Sequence, residues 1–174
     1  LPRLIKDGAI FVDVRTPAEF ASLRIRGSIN VPFDRIAPAA LMGGFGIDAP
    51  LYCVCQTGTR SQLAAQRLRA AGFRRVVHVD GGTNAWQTTG LPLVRGGRRT
   101  ISLERQVRIA AGVLVLAGVA AGALVHPAAH ALAALVGVGL VQSGLASFCG
   151  MSMLLAKMPW NQAGAPAPSR ARAR

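Results

Sequence analysis

From Ile109 to Ala156 the chain carries no Lys, Arg, Asp or Glu. A charge-free run of that length is far beyond a soluble core helix and is long enough for two membrane spans of about 20 residues each. The segment therefore reads as an α-helical transmembrane hairpin within 107–158. One span covers about 107–126, "VRIAAGVLVLAGVAAGALVH", and the other about 130–156, "HALAALVGVGLVQSGLASFCGMSMLLA". The alternative is a pair of buried soluble helices. Only "HPAAH" (126–130) joins the spans, and Pro127 makes that turn tight.

A formal net charge of +13 on 174 residues could point to nucleic acid. The placement of the charges argues for a lipid bilayer and against a nucleic-acid partner. Arg95, Arg98, Arg99, Arg105 and Arg108 precede the first span, Lys157, Arg170, Arg172 and Arg174 follow the second, and the turn between them has no Lys or Arg. The positive-inside rule puts both chain ends in the cytoplasm, with Trp160 beside Lys157 as an interfacial anchor. Residues 94–106 read as a basic linker and amphipathic lead-in, and 159–174 as a disordered basic tail. Three unevenly spaced cysteines, Cys53, Cys55 and Cys149, do not make a disulfide framework, so a reducing compartment is expected. No secretory signal is visible. The chain does not begin with Met, which leaves a trimmed leader or a missing first element open.

Residues 1–93 alternate strand and helix signals, the pattern of an α/β domain with a mainly parallel sheet flanked by helices. "AIFVDV" (9–14) reads as a buried strand. In "TPAEFASL" (16–23) Thr16 is placed to cap a helix, with Pro17 in its first turn and Glu19 three residues on. "SINVP" (28–32) is extended, "FDRIAPAALM" (33–42) is broken into two short turns by Pro38, and 43–50 is loop. "LYCVC" (51–55) is a second buried strand, "SQLAAQRLRAAGF" (61–73) an amphipathic helix, "RVVHVDGG" (75–82) a third strand, and 83–92 a short helix.

The chemistry sits between the second strand and the helix after it. Backbone N–H groups in the Gly-containing turn "QTGT" can form an anion-binding nest, and the helix from Ser61 aims its positive end at the same spot. A cysteine facing that potential, Cys55, is expected to carry thiolate character and to be nucleophilic, with Arg60 as a permanent charge. Two reaction classes fit: sulfur transfer from thiosulfate or a persulfide, and phosphate-ester hydrolysis or arsenate reduction of the cysteine-phosphatase kind. Only "QTGT" separates Cys55 from Arg60, a short loop that suits one sulfane sulfur better than a tetrahedral oxyanion. A third reading is non-enzymatic, a membrane-bound persulfide or nitric-oxide sensor.

Four segments, in order, resemble the single-domain rhodaneses over 9–93: "VDVRTPAEF" (12–20), "RIRGSINVP" (24–32), "CQTGTR" (55–60) and "DGGTNAWQTTGLPL" (80–93). Arg24 stands where that family usually has His. "LERQVRIAAGVLVL" (103–116) and "GLASFCGMSMLLAKMPWN" (144–161) resemble the two-helix membrane domain of YgaP-type inner-membrane rhodaneses. The family fold has a strand and most of a helix ahead of "LPRLIKDG", so that first strand is expected to be missing here.

The resemblance implies a sulfurtransferase in the bacterial inner membrane. Cys55 would attack the outer sulfur of thiosulfate, sulfite would leave, and cyanide or a thiol would collect the sulfur from the Cys55 persulfide. Loop N–H groups of Gln56, Thr57, Gly58, Thr59 and Arg60 would hold the persulfide, with Arg60 orienting the donor. No cofactor and no metal is expected, since Cys53 and Cys55 have no second cluster of ligands near them in sequence. Asp13, Arg15 and Glu19 could contribute to the site, with Asp13 and Arg15 as the secondary candidates, set against a structural ion-pair network near the strand end. Cys53 reads as a core residue or a resolving thiol, and Cys149 as inert packing or a sulfur acceptor. Gly118, Gly122, Gly139, Ser143 and Ser147 allow close helix approach, within the hairpin or across a homodimer, and Gln142 could hydrogen-bond across it.

Overall fold

Strand β1 (Ile10–Asp13) and strand β4 (Leu51–Val54) run parallel, with Val12 opposite Cys53 and Asp13 opposite Val54. Between them in sequence lie helix α1 (Pro17–Ser22), strands β2 (Leu23–Ile25) and β3 (Ile29–Asn30), a 3-10 turn at Phe33–Arg35 and helix α2 (Pro38–Phe45). After β4 come α3 (Thr59–Ala70), β5 (Val76–His78), α4 (Gly82–Thr88) and β6 (Leu93–Arg95). The main sheet is parallel throughout, in the order β3-β1-β4-β5. The computed structural model describes residues 8–97, 100–146 and 150–163.

Side-chain alternation splits the core between the two faces of this sheet. Val12, Leu51 and Cys53 pack with Leu41, Ala64 and Leu68, under α2 and α3. Phe11 and Val54 pack with Ile25 and Trp86, under α4, and the Trp86 ring meets Phe11 edge-on at 5.6 Å. Cover on both faces explains why β1 and β4 read as continuous apolar runs.

The Thr16 cap forms as the sequence predicts: its side chain accepts the Glu19 N–H while the Glu19 carboxylate takes the Thr16 N–H. Other boundaries move. Helix α1 stops at Ser22 because Leu23 turns into β2, which pairs antiparallel with β6, so a two-stranded sheet stands where the sequence predicts a helix end and a linker. Helix α2 runs through Gly43 and Gly44, expected as loop, until Gly46 at φ +79° ends it. Helix α3 opens at Thr59 rather than Ser61, because the left-handed Gly58 (φ +109°) turns the chain directly into it.

Residues Ile101–Asn161 form a separate compact unit. Helix α5 (Leu103–Leu124) and helix α6 (His130–Ala146) are joined through a 3-10 turn at Pro127–Ala129. Two stretches, Leu103–Leu124 and Pro127–Leu145, are long and apolar enough to cross a membrane. Leu116, Leu124, Leu135 and Leu145 point outward at 70–85% exposure, the surface expected of helices whose solvent is lipid. A Cβ at Gly118 would stand 2.8 Å from the Ala133 nitrogen, and one at Gly122 would overlap the His130 ring, so these two glycines serve contact within the hairpin.

The second span, expected as one helix over 130–156, comprises α6 and a further helix α7 (Gly150–Ala156), with residues 147–149 between them outside the described set. Ser147 and Cys149 therefore lie outside the described residues. Pro159–Gln162 form a short helix α8 where the sequence reading starts a disordered tail. Its Asn161 exchanges amide hydrogen bonds of 2.9 and 2.8 Å with Gln106, and Trp160 Nε1 donates to Gln106 Oε1 at 3.1 Å.

Candidate active site

Cys55 leaves the carboxyl end of β4, where ligand sites of parallel α/β sheets form. It is 1% exposed. Its Sγ accepts the Gly58 N–H at 3.1 Å, and its thiol faces Ser61 Oγ at 3.6 Å. The Ser61 hydroxyl donates to the Gly58 carbonyl at 2.8 Å, which ties the first turn of α3 to the loop. Ser61 is fully buried and was not among the site residues the sequence pattern marks.

The loop is gripped from behind by α4. Thr83 N–H donates to the Cys55 carbonyl at 2.8 Å and Asn84 N–H to the Gln56 carbonyl at 3.1 Å. In a trans peptide the N–H points opposite to the carbonyl, so the N–H groups of Gln56 and Thr57 turn away from that helix. The Gln56 side chain also donates to Asn84 Oδ1 at 2.7 Å. Contact is close enough that a Cβ at Gly82 would overlap the Cys55 carbonyl oxygen, and one at Gly58 would stand 3.2 Å from the Gly81 nitrogen. Gly82, Thr83 and Asn84 are thus parts of the site; the sequence places them in a turn and a short helix, within the segment 80–93 that resembles the rhodaneses, without marking them as site residues. Two adjacent glycines, both at positive φ, are the signal that could have found them.

Arg60 gives both guanidinium arms to Glu19, Nη1 to Oε2 at 3.0 Å and Nη2 to Oε1 at 3.1 Å. Glu19 is 2% exposed. Burial alone would raise its pKa, but the Arg60 charge and hydrogen bonds, the Thr16 N–H and the charge of Arg15 outweigh it and hold the carboxyl at about 2. Arg15 pairs with Asp13 through Nη2 at 2.6 Å and also donates to the Leu23 carbonyl at 2.6 Å. Both members are buried, and Asn30 Nδ2 bonds the Asp13 and Arg15 carbonyls, so the hydrogen bonds of this pair hold the corner between β1, β2 and β3.

Cys53, two residues before Cys55, points into the core under α3, where burial pushes its thiol up to about 12. That is the behaviour of packing rather than of a redox partner. Among the described residues no group of three or more His, Cys, Asp or Glu could hold a metal ion.

The model of the rhodanese-like domain matches residues 1–89, and that of the inner membrane protein YgaP-like transmembrane domain matches 102–166. An uncharacterized protein of Synechocystis sp., slr1261, is 43% identical over 157 residues, 90% of this chain and 87% of that protein. The thiosulfate sulfurtransferase GlpE of Pseudomonas fluorescens is 44% identical over 86 residues, 49% of this chain and 77% of that one. The crystal structure of the Alr3790 protein from Anabaena sp. shares the fold, with a TM-score of 0.50 at 21% identity over 55% of this chain and 77% of that one. The rhodanese-like domain and the GlpE relative support a sulfurtransferase family in general terms, and the YgaP-like domain with the two long apolar helices supports a membrane protein. The chain belongs to the rhodanese family, with a rhodanese-like domain followed by a YgaP-like transmembrane domain.

Proposed function

We propose that this protein is a membrane-anchored sulfurtransferase that carries sulfane sulfur on Cys55. The Cys55 thiolate attacks the outer sulfur of thiosulfate or of a persulfide. Sulfite or a thiol leaves, and the Cys55 persulfide passes its outer sulfur to cyanide or to a thiol acceptor. The observation that carries this reading is the Gly58 N–H held 3.1 Å from the cysteine sulfur, in a loop whose carbonyls at Cys55 and Gln56 are bound by α4. Fixed dipoles around one sulfur suit a group that takes and releases a single sulfur atom. Backbone N–H groups of Gln56, Thr57, Gly58, Thr59 and Arg60 are the proposed cradle of the persulfide.

The hairpin anchors the domain in a bacterial inner membrane, with the domain and both termini in the cytoplasm, as the flanking arginines favour. A homodimer through the spans is part of the same proposal. Turnover of thiosulfate with cyanide by the detergent-solubilised protein, lost in Cys55→Ser, is the expected result. Hydrolysis of a phenyl phosphate would favour the cysteine-based oxyanion enzyme instead. Stable modification of Cys55 without turnover would favour a sensor.

A further inference from the structure

The one cation that the Cys55 loop carries in its own sequence is already matched. Arg60 spends both arms on Glu19, at 3.0 and 3.1 Å, and Glu19 is at the same time the carboxylate of the α1 capping box. Swinging Arg60 toward a bound donor would take from the 2%-exposed Glu19 carboxylate its bidentate countercharge and leave it the hydrogen bonds from the Thr16 N–H and hydroxyl, a cost that holds Arg60 where it is. Asp80 borders the same loop. Its Oδ1 lies 3.6 Å from where a Gly58 Cβ would stand, and it accepts the Gly81 N–H at 3.0 Å. What the loop offers a donor is then a set of backbone N–H dipoles and the N-terminus of α3, partial charges that suit one developing negative charge on sulfur.

We propose that Glu19 sets the donor charge: by holding Arg60 it makes the site select the persulfide of a thiol, neutral or singly charged at sulfur, over dianionic thiosulfate. This rests on the sulfurtransferase reading above. The Cys55 thiolate attacks the terminal sulfur of RS–SH, the Cys55 Sγ–S bond forms, and the RS–S bond breaks. RS⁻ leaves with the electron pair, and the proton remains on the transferred sulfur, giving Cys55–S–SH. Charge and atoms balance without an oxidant. Glu19 acts through Arg60 and is a positioning residue. Its low pKa keeps the pair charged at neutral pH.

The test is the rate at which one sulfur is added to Cys55, read by mass on the full chain in detergent, for two donors: thiosulfate and the persulfide of 2-mercaptoethanol. The wild type is expected to load faster from the persulfide. Glu19→Gln keeps a side-chain acceptor for the Thr16 N–H and releases the Arg60 charge. It should raise the thiosulfate-to-persulfide rate ratio about tenfold, the order expected of a unit charge acting on a dianion across several ångströms. The double variant Glu19→Gln with Arg60→Gln removes both charges and should return the ratio to the wild-type value, whatever its absolute rate; it also carries the test if the single variant does not fold. Loading of Cys55 with thiosulfate preferred by the wild type, or a double variant that loses thiosulfate loading selectively, overturns the role of Glu19 and leaves the sulfurtransferase reading standing. No sulfur on Cys55 of the folded wild type from either donor overturns both.

Discussion

Gly82→Ala should displace the Cys55 loop without touching a reacting atom. Gly82 sits at φ +57°, and a Cβ there would overlap the Cys55 carbonyl oxygen and stand 2.7 Å from the Gln56 carbonyl carbon and oxygen. The obstruction is backbone, so no side chain can rotate away. A non-glycine residue in left-handed backbone costs about 1–2 kcal/mol, and overpacking adds about 1–3 kcal/mol. A total loss of about 2–5 kcal/mol of stability follows from those two. To make room, the loop must move by a sizeable fraction of an ångström, which lengthens the bonds from Thr83 and Asn84 to the Cys55 and Gln56 carbonyls. Misplacement on the scale of about 1 Å can lower a rate about 100-fold. Gly90→Ala is the control: Gly90 is also left-handed, at φ +70°, with nothing within 4 Å of its Cβ position. It should lose about 1–2 kcal/mol and keep the wild-type rate of sulfur loading. Thermal unfolding and the loading rate of Cys55, measured on both variants in detergent, separate strain from clash. A Gly82→Ala protein that matches Gly90→Ala in both would refute the claim that α4 clamps the loop.

Acid should weaken the domain through Glu19. Its folded pKa of about 2 lies below the ordinary 4.5, so its contribution is present above pH 4.5 and is lost as pH falls toward 2. The shift corresponds to about 3 kcal/mol, and Glu19→Gln should flatten the pH dependence of the unfolding midpoint in that window. Cys53→Ala should leave sulfur loading intact and lower stability by about 1–2 kcal/mol. In the native wild type, iodoacetamide at pH 8 should leave Cys53 unmodified by peptide mapping, given a thiol at about 12. Gly118→Val puts branched carbon against the Ala133 backbone and should destabilise the hairpin by about 1–3 kcal/mol. Thermal loss of helical circular dichroism is the check, and an unchanged midpoint would mean that α5 and α6 do not meet there.

Features set by neighbours in sequence are legible before the fold is known. The capping box of Thr16, Pro17 and Glu19 is local, and the apolar runs of β1 and β4 follow from burial on both faces. The strand–turn–helix frame around Cys55 is legible for the same reason. What the chain conceals is what distant segments do together. The pairing of β2 with β6 joins strands of three residues, too short to show a period. Arg60 meets a carboxylate 41 residues away, so the spacing that marks it as a candidate donor ligand says nothing of the Glu19 that holds it. The grip of α4 on the loop is made chiefly by two backbone N–H groups, which leave no mark in side-chain identity, with the Gln56–Asn84 side-chain bond and two close-approach glycines beside them. Helix α2 continues through Gly43 and Gly44 against their low propensity, because Leu41 is buried in the core and Met42 packs against it.

Transferable sulfur on Cys55 is read from the mass of the solubilised protein after treatment with a sulfane donor, with peptide mapping under non-reducing conditions. One added sulfur on the Cys55 peptide, removed by cyanide and absent in Cys55→Ser, is the predicted result. A folded wild-type protein that takes up no sulfur, or takes it up on another residue, would contradict the account.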